Sequence, residues 1–361
     1  IGALSLVYCL SFLARRNPRA GGPAAYVLSA FGHWPAVVVA WSYWISLVVA
    51  VAAIALSFSG YLAFYIPRLT QNPLSTTVVA LGVIWVFTWI SLRGTKEAST
   101  VQLVTTLLKI IPLLFFGLLG LMFGDFDSVS ATNPSDASGF SLMAGIMLLI
   151  MWSYIGIEAA TIPADATENP TKTIPRALFL GTLTATGVYV ISLAGVMALI
   201  PQEQLVSSEH PFADAAARVL GSPGALLVGF GALVSIGGAL NACVFLSGAM
   251  PTVGARDRLF PQWFGRSTDE AYSPRAIIVS SAVASILVMF NASKGLVGAF
   301  EAMIVLSTFS ALIVYLGASL ASFKEQLAAS ENRLWQRLFG LFIAVLAIFF
   351  TTAAIYGATL L

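Results

Sequence analysis

Glu158 lies deep in a hydrophobic stretch, residues 139–164, within the run Trp152-Ser-Tyr-Ile-Gly-Ile-Glu158, and Pro163 closes the stretch. A carboxylate at that depth in lipid is expensive and calls for a function. That run interrupts the stretch at its centre, where freed backbone donors and acceptors can hold a small solute. Lys109 is the second deep charge, about thirteen residues from Lys96 and so roughly 20 Å along a helix, too far in for easy snorkelling. A lysine buried that deep can release a proton. Glu158 and Lys109 do not make a convergent nucleophile and base, so covalent chemistry is not expected and the protein reads as no enzyme.

These residues need elements that cross a membrane, and composition supplies them. The chain is 58% hydrophobic and 9% charged, with a mean hydropathy of +0.89, which places it outside soluble domains. Hydropathy predicts about ten spans, at 1–14, 34–66, 74–93, 99–124, 139–164, 174–200, 221–252, 275–291, 296–322 and 335–361. Short loops between them predict one membrane domain over residues 1–361. The chain opens at Ile1 inside an apolar run and ends in Thr-Leu-Leu361, which reads as a piece of a longer protein with at least one span ahead of it.

Basic residues set an expected orientation. If the spans alternate, Arg15, Arg16, Arg19, Arg93, Lys96, Lys172, Arg176, Arg256, Arg258, Arg266, Arg275, Lys324, Arg333 and Arg337 share one side. Arg68, Arg218 and Lys294 fall opposite, so the first set is expected in the cytoplasm and the protein in the cell (inner) membrane. Asp125, Asp127, Asp136, Glu203, Glu209 and Asp214 fall outside and agree. A net charge of +2 then gives no reason to expect nucleic acid, because the basic residues serve topology.

Cys9 and Cys243 lie in apolar spans without ligand spacing, so neither a disulfide framework nor a metal site is expected, and no cofactor. His33 and His210 are interfacial. The glycines at Gly117 through Gly120, Gly229, Gly231, Gly237 and Gly238 suit close helix packing, and no Lys-Ser/Thr follows a glycine-rich turn to make a phosphate loop. Glu168-Asn-Pro-Thr-Lys172 reads as a helix stop and cytoplasmic turn framed by Pro170 and Pro175.

Two spans, 34–66 and 221–252, exceed the roughly 20 residues needed to cross a bilayer, and they stand five apart. That recurrence predicts two five-helix repeats in opposite orientation, with the interrupted span at 139–164 as the broken helix of the second.

Trp152-Ser-Tyr-Ile-Gly-Ile-Glu158, with Glu168-Asn-Pro170 and Ile174-Pro-Arg176, resembles the sixth helix and following loop of the amino acid/polyamine/organocation (APC) transporters, nearest the bacterial arginine/agmatine antiporter type. Gly21-Gly-Pro-Ala-Ala-Tyr26, Tyr43-Trp44, Gly60-Tyr-Leu62, Pro211-Phe-Ala-Asp-Ala-Ala216 and Arg256-Asp-Arg-Leu-Phe-Pro261 match in order along the whole chain. The resemblance implies an all-α integral membrane protein with the LeuT-like inverted five-plus-five helix repeat and twelve helices, of which this chain carries helices two to eleven. It implies a secondary transporter, a permease or antiporter that moves amino acids or related amines by alternating access.

By the same resemblance Trp152 closes over bound substrate, with Ser153, Ile155 and Gly156 beside it and Ser307 in the pocket, while Tyr43, Glu158 and Tyr315 form the cytoplasmic gate. Lys109 matches a lysine that takes the place of sodium in proton-coupled and sodium-independent relatives. Val51 stands where the antiporter type has asparagine, Leu47 where it has cysteine, and Cys243 where it has a substrate-contacting tryptophan. A pocket changed in this way is a poor fit to a guanidinium, which would lack partners.

Plainer readings stay open. Glu158 alternatively bonds backbone freed by the break, Lys109 pairs with carbonyls, Trp152, Tyr43 and Tyr315 pack, Asn241 links helices, and Glu301 is interfacial. Proton linkage, exchange against net uptake and a homodimer are not separated by the sequence. A sodium-coupled symporter of the same fold and a non-transporting membrane sensor are the alternatives.

Overall fold

The computed structural model describes residues 1–18, 21–93, 110–111, 113–115, 117–126, 139–162, 164, 167–208, 210–265, 273–291, 295–329 and 334–359. Lys109 lies outside them, as do Arg19, Lys96, Asp127, Asp136, Pro163, Glu209, Arg266, Lys294 and Arg333.

The described residues are built from helices: α1 (Gly2–Arg16), α2 (Gly22–Phe31), α3 (His33–Tyr65), α4 (Pro73–Arg93), α5 (Leu113–Phe123), α6 (Gly139–Trp152), α7 (Pro170–Leu199), α8 (Gln202–Ser207), α9 (Pro211–Arg256), α10 (Pro274–Asn291), α11 (Gly295–Ala328) and α12 (Leu334–Ala358). Six of them, His33–Tyr65, Leu74–Arg93, Pro170–Leu199, Pro211–Arg256, Val297–Ala328 and Leu334–Ala358, are long and apolar enough to cross a bilayer. Their outer faces carry large apolar side chains, among them Trp89, Leu180, Phe342 and Phe349. Side chains of that size turned outward on several helices fit a lipid surround and not water.

The helix α3 is the centre of the bundle. It packs most extensively on α11 and α9, and then on α4, α2 and α10. Its residues Tyr43, Leu47, Val48, Val51 and Leu56 are buried within the main core. The element α9 is two helices joined at a kink: Gly221, with φ 69° and ψ −166°, is non-helical, so the span that hydropathy predicts at 221–252 starts at the kink and a shorter helix precedes it. Its start is fixed by Asp214, which accepts from Ser208 Oγ at 2.5 Å and meets His210 Nδ1 at 2.9 Å.

One expectation is corrected. The expected turn at Glu168–Lys172 is a helix start: Asn169 in the left-handed region precedes Pro170 at the first helical position, and Pro175 lies inside α7. Pro175 has no N–H to donate to the carbonyl of Thr171. The segment after α1 is a ten-residue helix, α2; at that length it falls well short of a span, which is why hydropathy passes over it.

Candidate functional site

The stretch with Glu158 unwinds at its centre. The helix α6 ends at Trp152, and the chain continues through three-residue turns, with Ser153 N donating to Ile150 O, Tyr154 N to Met151 O and Ile155 N to Trp152 O. Gly156 has φ 105° and starts a 3₁₀ turn over Ile157–Thr161. A positive φ suits glycine, which has no Cβ to oppose the backbone carbonyl. A single glycine thereby reverses the chain's winding and turns Glu158 into the bundle.

Glu158 is fully buried. Its Oε2 accepts from the Tyr315 hydroxyl at 2.5 Å and from the Gly156 backbone N–H at 3.2 Å. The Tyr43 hydroxyl is near enough to interact with the same carboxyl, yet neither it nor Glu158 Oε1 makes a hydrogen bond among the described residues. The structure thus brings together Tyr43 of α3, Glu158 of the break and Tyr315 of α11, the three residues expected to form a gate. A buried carboxyl joined to one tyrosine and close to, but not bonded with, a second is a cluster with an unused acceptor and an unused hydroxyl.

The neighbouring helices hold the unwound segment. From α7, Tyr189 donates to the carbonyl of Ser153 at 3.0 Å, and Thr186 shares a 2.9 Å hydrogen bond with Tyr154. From the start of α2, Gly21 N donates to the carbonyl of Ile162 at 3.2 Å. Gly22 packs so close that an added Cβ would lie 2.6 Å from Thr161 Oγ1. The Gly21-Gly-Pro23 motif is therefore a dock for the far end of the break. Lys324 of α11 secures the other end of α2 by donating to the carbonyl of Ala30 at 2.5 Å, with its ammonium 5.1 Å from the Phe31 ring centre. Lysine near the last carbonyls of a helix satisfies groups that the helix itself leaves open.

The other expected site residues are placed unevenly. Trp152 and Cys243 pack on the main core, which includes Val51 and Leu47, while Ile155 packs on a second cluster around Leu148, Met151 and Tyr315. Ser153 is exposed and Gly156 half-buried. Ser307 is fully buried, and its hydroxyl donates to the carbonyl of Ser46 at 2.8 Å, so it serves the contact of α11 with α3. A cavity of about 210 Å³ between α3, α5 and α9, with Ser57, Tyr61 and Phe212 on its wall, touches none of these residues. Among the described residues no group of His, Cys, Asp or Glu could hold a metal. The matched motif Arg256–Pro261 acts structurally: Trp41 Nε1 donates to the carbonyl of Leu259 at 3.1 Å and its ring stacks on Phe260 at 4.9 Å. Sequence reasoning missed Tyr154, Thr186 and Tyr189, although the spacing of Thr186 and Tyr189, three apart, puts both on one helix face.

The amino acid permease family profile matches residues 1–360. The chain belongs to the amino acid permeases of the APC superfamily. It is 27% identical over 308 residues, 82% of this chain and 67% of the relative, to the cadaverine/lysine antiporter of Escherichia coli (strain K12). It is also 25% identical over 360 residues to the putrescine transporter PotE of Haemophilus influenzae, covering 99% of this chain and 82% of that one. To the arginine/ornithine antiporter of Pseudomonas aeruginosa it is 27% identical over 374 aligned positions, covering 100% of this chain and 77% of that one. This permease is a multi-pass membrane protein and a secondary transporter of amino acids or related amines, not an enzyme.

Proposed function

We propose that this permease exchanges or takes up an amino acid or diamine recognised through a primary ammonium group. The relatives named above are named for cadaverine and lysine, putrescine, and arginine and ornithine. Val51, Leu47 and Cys243 argue against a guanidinium, since none of them offers the planar acceptors it needs.

In this reading the unwound backbone around Gly156 seats the substrate, Trp152 is the lid, and Ser153, Ile155, Val51, Cys243 and Ser307 border the seat. Tyr43, Glu158 and Tyr315 are the inner gate, shut when both tyrosines engage the carboxyl. The two halves form an inverted five-plus-five repeat, and one bundle rocks against the other to exchange access. Loops carrying Arg15, Arg93, Lys172, Arg256 and Lys324 face the cytoplasm. Lys109 takes the place of a sodium ion, and its protonation is linked to transport. A homodimer is compatible with this arrangement.

The reading is supported above all by the junction of Glu158 with Tyr315 beside the left-handed Gly156. The test is uptake by the full-length protein in proteoliposomes, over a panel of labelled amino acids and diamines, with and without a pH gradient. Saturable uptake that follows the proton gradient, and loses that dependence in Lys109→Ala, is the expected result. Uptake driven by sodium would overturn the coupling role, and no uptake of any amine or amino acid would overturn the substrate class.

A further inference from the structure

A second groove, of about 760 Å³, lies between α6, α11 and the end of α12. Leu149, Ala302, Val305, Leu306 and Phe309 make its wall apolar, and among the described residues that line it Glu301 is the one carboxylate. Glu301 stands six residues before Ser307, about 9 Å along α11, and a similar distance inside the helix start at Gly295.

Glu301 is exposed. The ion pairs among the described residues are Arg16 with Glu325 and His210 with Asp214, and neither involves Glu301. Glu301 lies near the end of a 34-residue helix, about 51 Å long against a hydrocarbon core of about 30 Å, so its carboxylate is within reach of interfacial water and of cations. The groove offers space for both, and its apolar wall suits a ligand that carries methylenes behind its charge.

We propose that Glu301 and this groove form a capture site for alkylammonium ions, distinct from the seat at the helix break. The ammonium pairs with the Glu301 carboxylate, and the aliphatic chain lies along Leu149, Val305 and Phe309. Leu149 is one helical turn before Trp152, so the groove and the unwound segment share α6. A cation held there is concentrated against α6, the helix that leads into the break, as a single-sign charge in a low-dielectric cleft raises the local concentration of its counter-ion. The inference rests on the reading that the carrier's substrate bears an ammonium group.

Two measurements on the full-length carrier test it. The first is the kinetics of uptake into proteoliposomes, with cadaverine as cation and leucine as neutral control. Glu301→Gln raises KM for cadaverine roughly three- to fivefold, the upper part of the range of an exposed ion pair, with kcat unchanged. Glu301→Asp restores most of it, and salt near 1 M erases the difference. KM for leucine does not move. The second is the rate of alkylation of Ala302→Cys, read at that residue by mass spectrometry. Cadaverine slows this alkylation when Glu301 is present and does not when Ala302→Cys is combined with Glu301→Gln. An unchanged cadaverine KM in Glu301→Gln, with transport intact, overturns the capture site alone. A carrier that moves no amine, while cadaverine still protects position 302, overturns the transport reading and leaves the site standing. Absence of protection in both backgrounds overturns the site.

Discussion

Tyr315 and Glu158, 157 positions apart, meet at 2.5 Å between the Tyr315 hydroxyl and Glu158 Oε2. The pair ties α11 to the segment that follows α6. Tyr43 approaches the same carboxyl without a hydrogen bond of its own among the described residues. The two tyrosines are therefore not equivalent. Tyr315→Phe removes a donor from a buried carboxyl and should cost about 1–3 kcal/mol, read as a lower thermal midpoint of the detergent-solubilised carrier. Tyr43→Phe removes a hydroxyl with no hydrogen-bond partner among the described residues and should leave the midpoint unchanged or slightly raised. If both residues gate, both variants lower the transport rate. A Tyr43→Phe variant as unstable as Tyr315→Phe would show that Tyr43 bonds Glu158 in the dominant state.

The break itself should be sensitive at Gly156 and more so at Gly22. Gly156 has φ 105° with open space where a Cβ would go, so Gly156→Ala carries backbone strain of about 1–2 kcal/mol without a clash. Gly22 combines φ 56° with Thr161 Oγ1 only 2.6 Å from an added Cβ. Gly22→Ala adds a collision to the strain and pushes α2 off the end of the broken segment. The expected order of thermal midpoints is wild type, Gly156→Ala, Gly22→Ala. Equal midpoints for the two variants would argue against α2 as the dock.

Much of this was legible in the residues. Glu158 stands out because a carboxylate in an apolar run has few explanations, and Gly156 two positions earlier marks where the chain can turn. Tyr43 and Tyr315 were reachable through motif resemblance, since buried tyrosines in apolar helices look alike to periodicity. The short α2 was invisible to hydropathy because ten residues cannot span a bilayer, and its role depends on a contact with Thr161 that lies far off in sequence. Ser307 shows the opposite limit: its type suits a pocket, but its hydroxyl is bonded to α3. A side chain's partner is set by tertiary packing, which local sequence does not encode.

Lys324 was legible only as a topogenic charge, yet it caps α2. Lys324→Met keeps the aliphatic stem and removes the ammonium that bonds the Ala30 carbonyl. The loss should be modest, about 0.5–2 kcal/mol, and local. Protease sensitivity between α2 and α3 should rise before the global midpoint falls. If the midpoint drops with no local sensitivity, the lysine holds the bundle and not the short helix.

The contact of α5 with α7 depends on the absence of side chains. A Cβ at Gly195 would collide with the backbone of Gly117, and one at Gly120 with the backbone of Gly195. Asp125 N donates to the carbonyl of Ala198 at 2.9 Å, and Ser192 Oγ to that of Leu113 at 3.2 Å, so the two helices touch backbone to backbone. Without a hydrophobic drive between helices in lipid, such close approach is what van der Waals packing relies on. Gly195→Val should therefore separate the helices and abolish a monodisperse, cooperatively unfolding carrier. Gly187 supplies the control on the same helix, because nothing lies within 4 Å of its added Cβ. Gly187→Ala should raise the midpoint slightly, by about 0.5–1 kcal/mol of helix stabilisation. Opposite signs from two glycines eight residues apart on α7 would separate packing from propensity, and a Gly195→Val carrier that stays monodisperse would place α5 elsewhere.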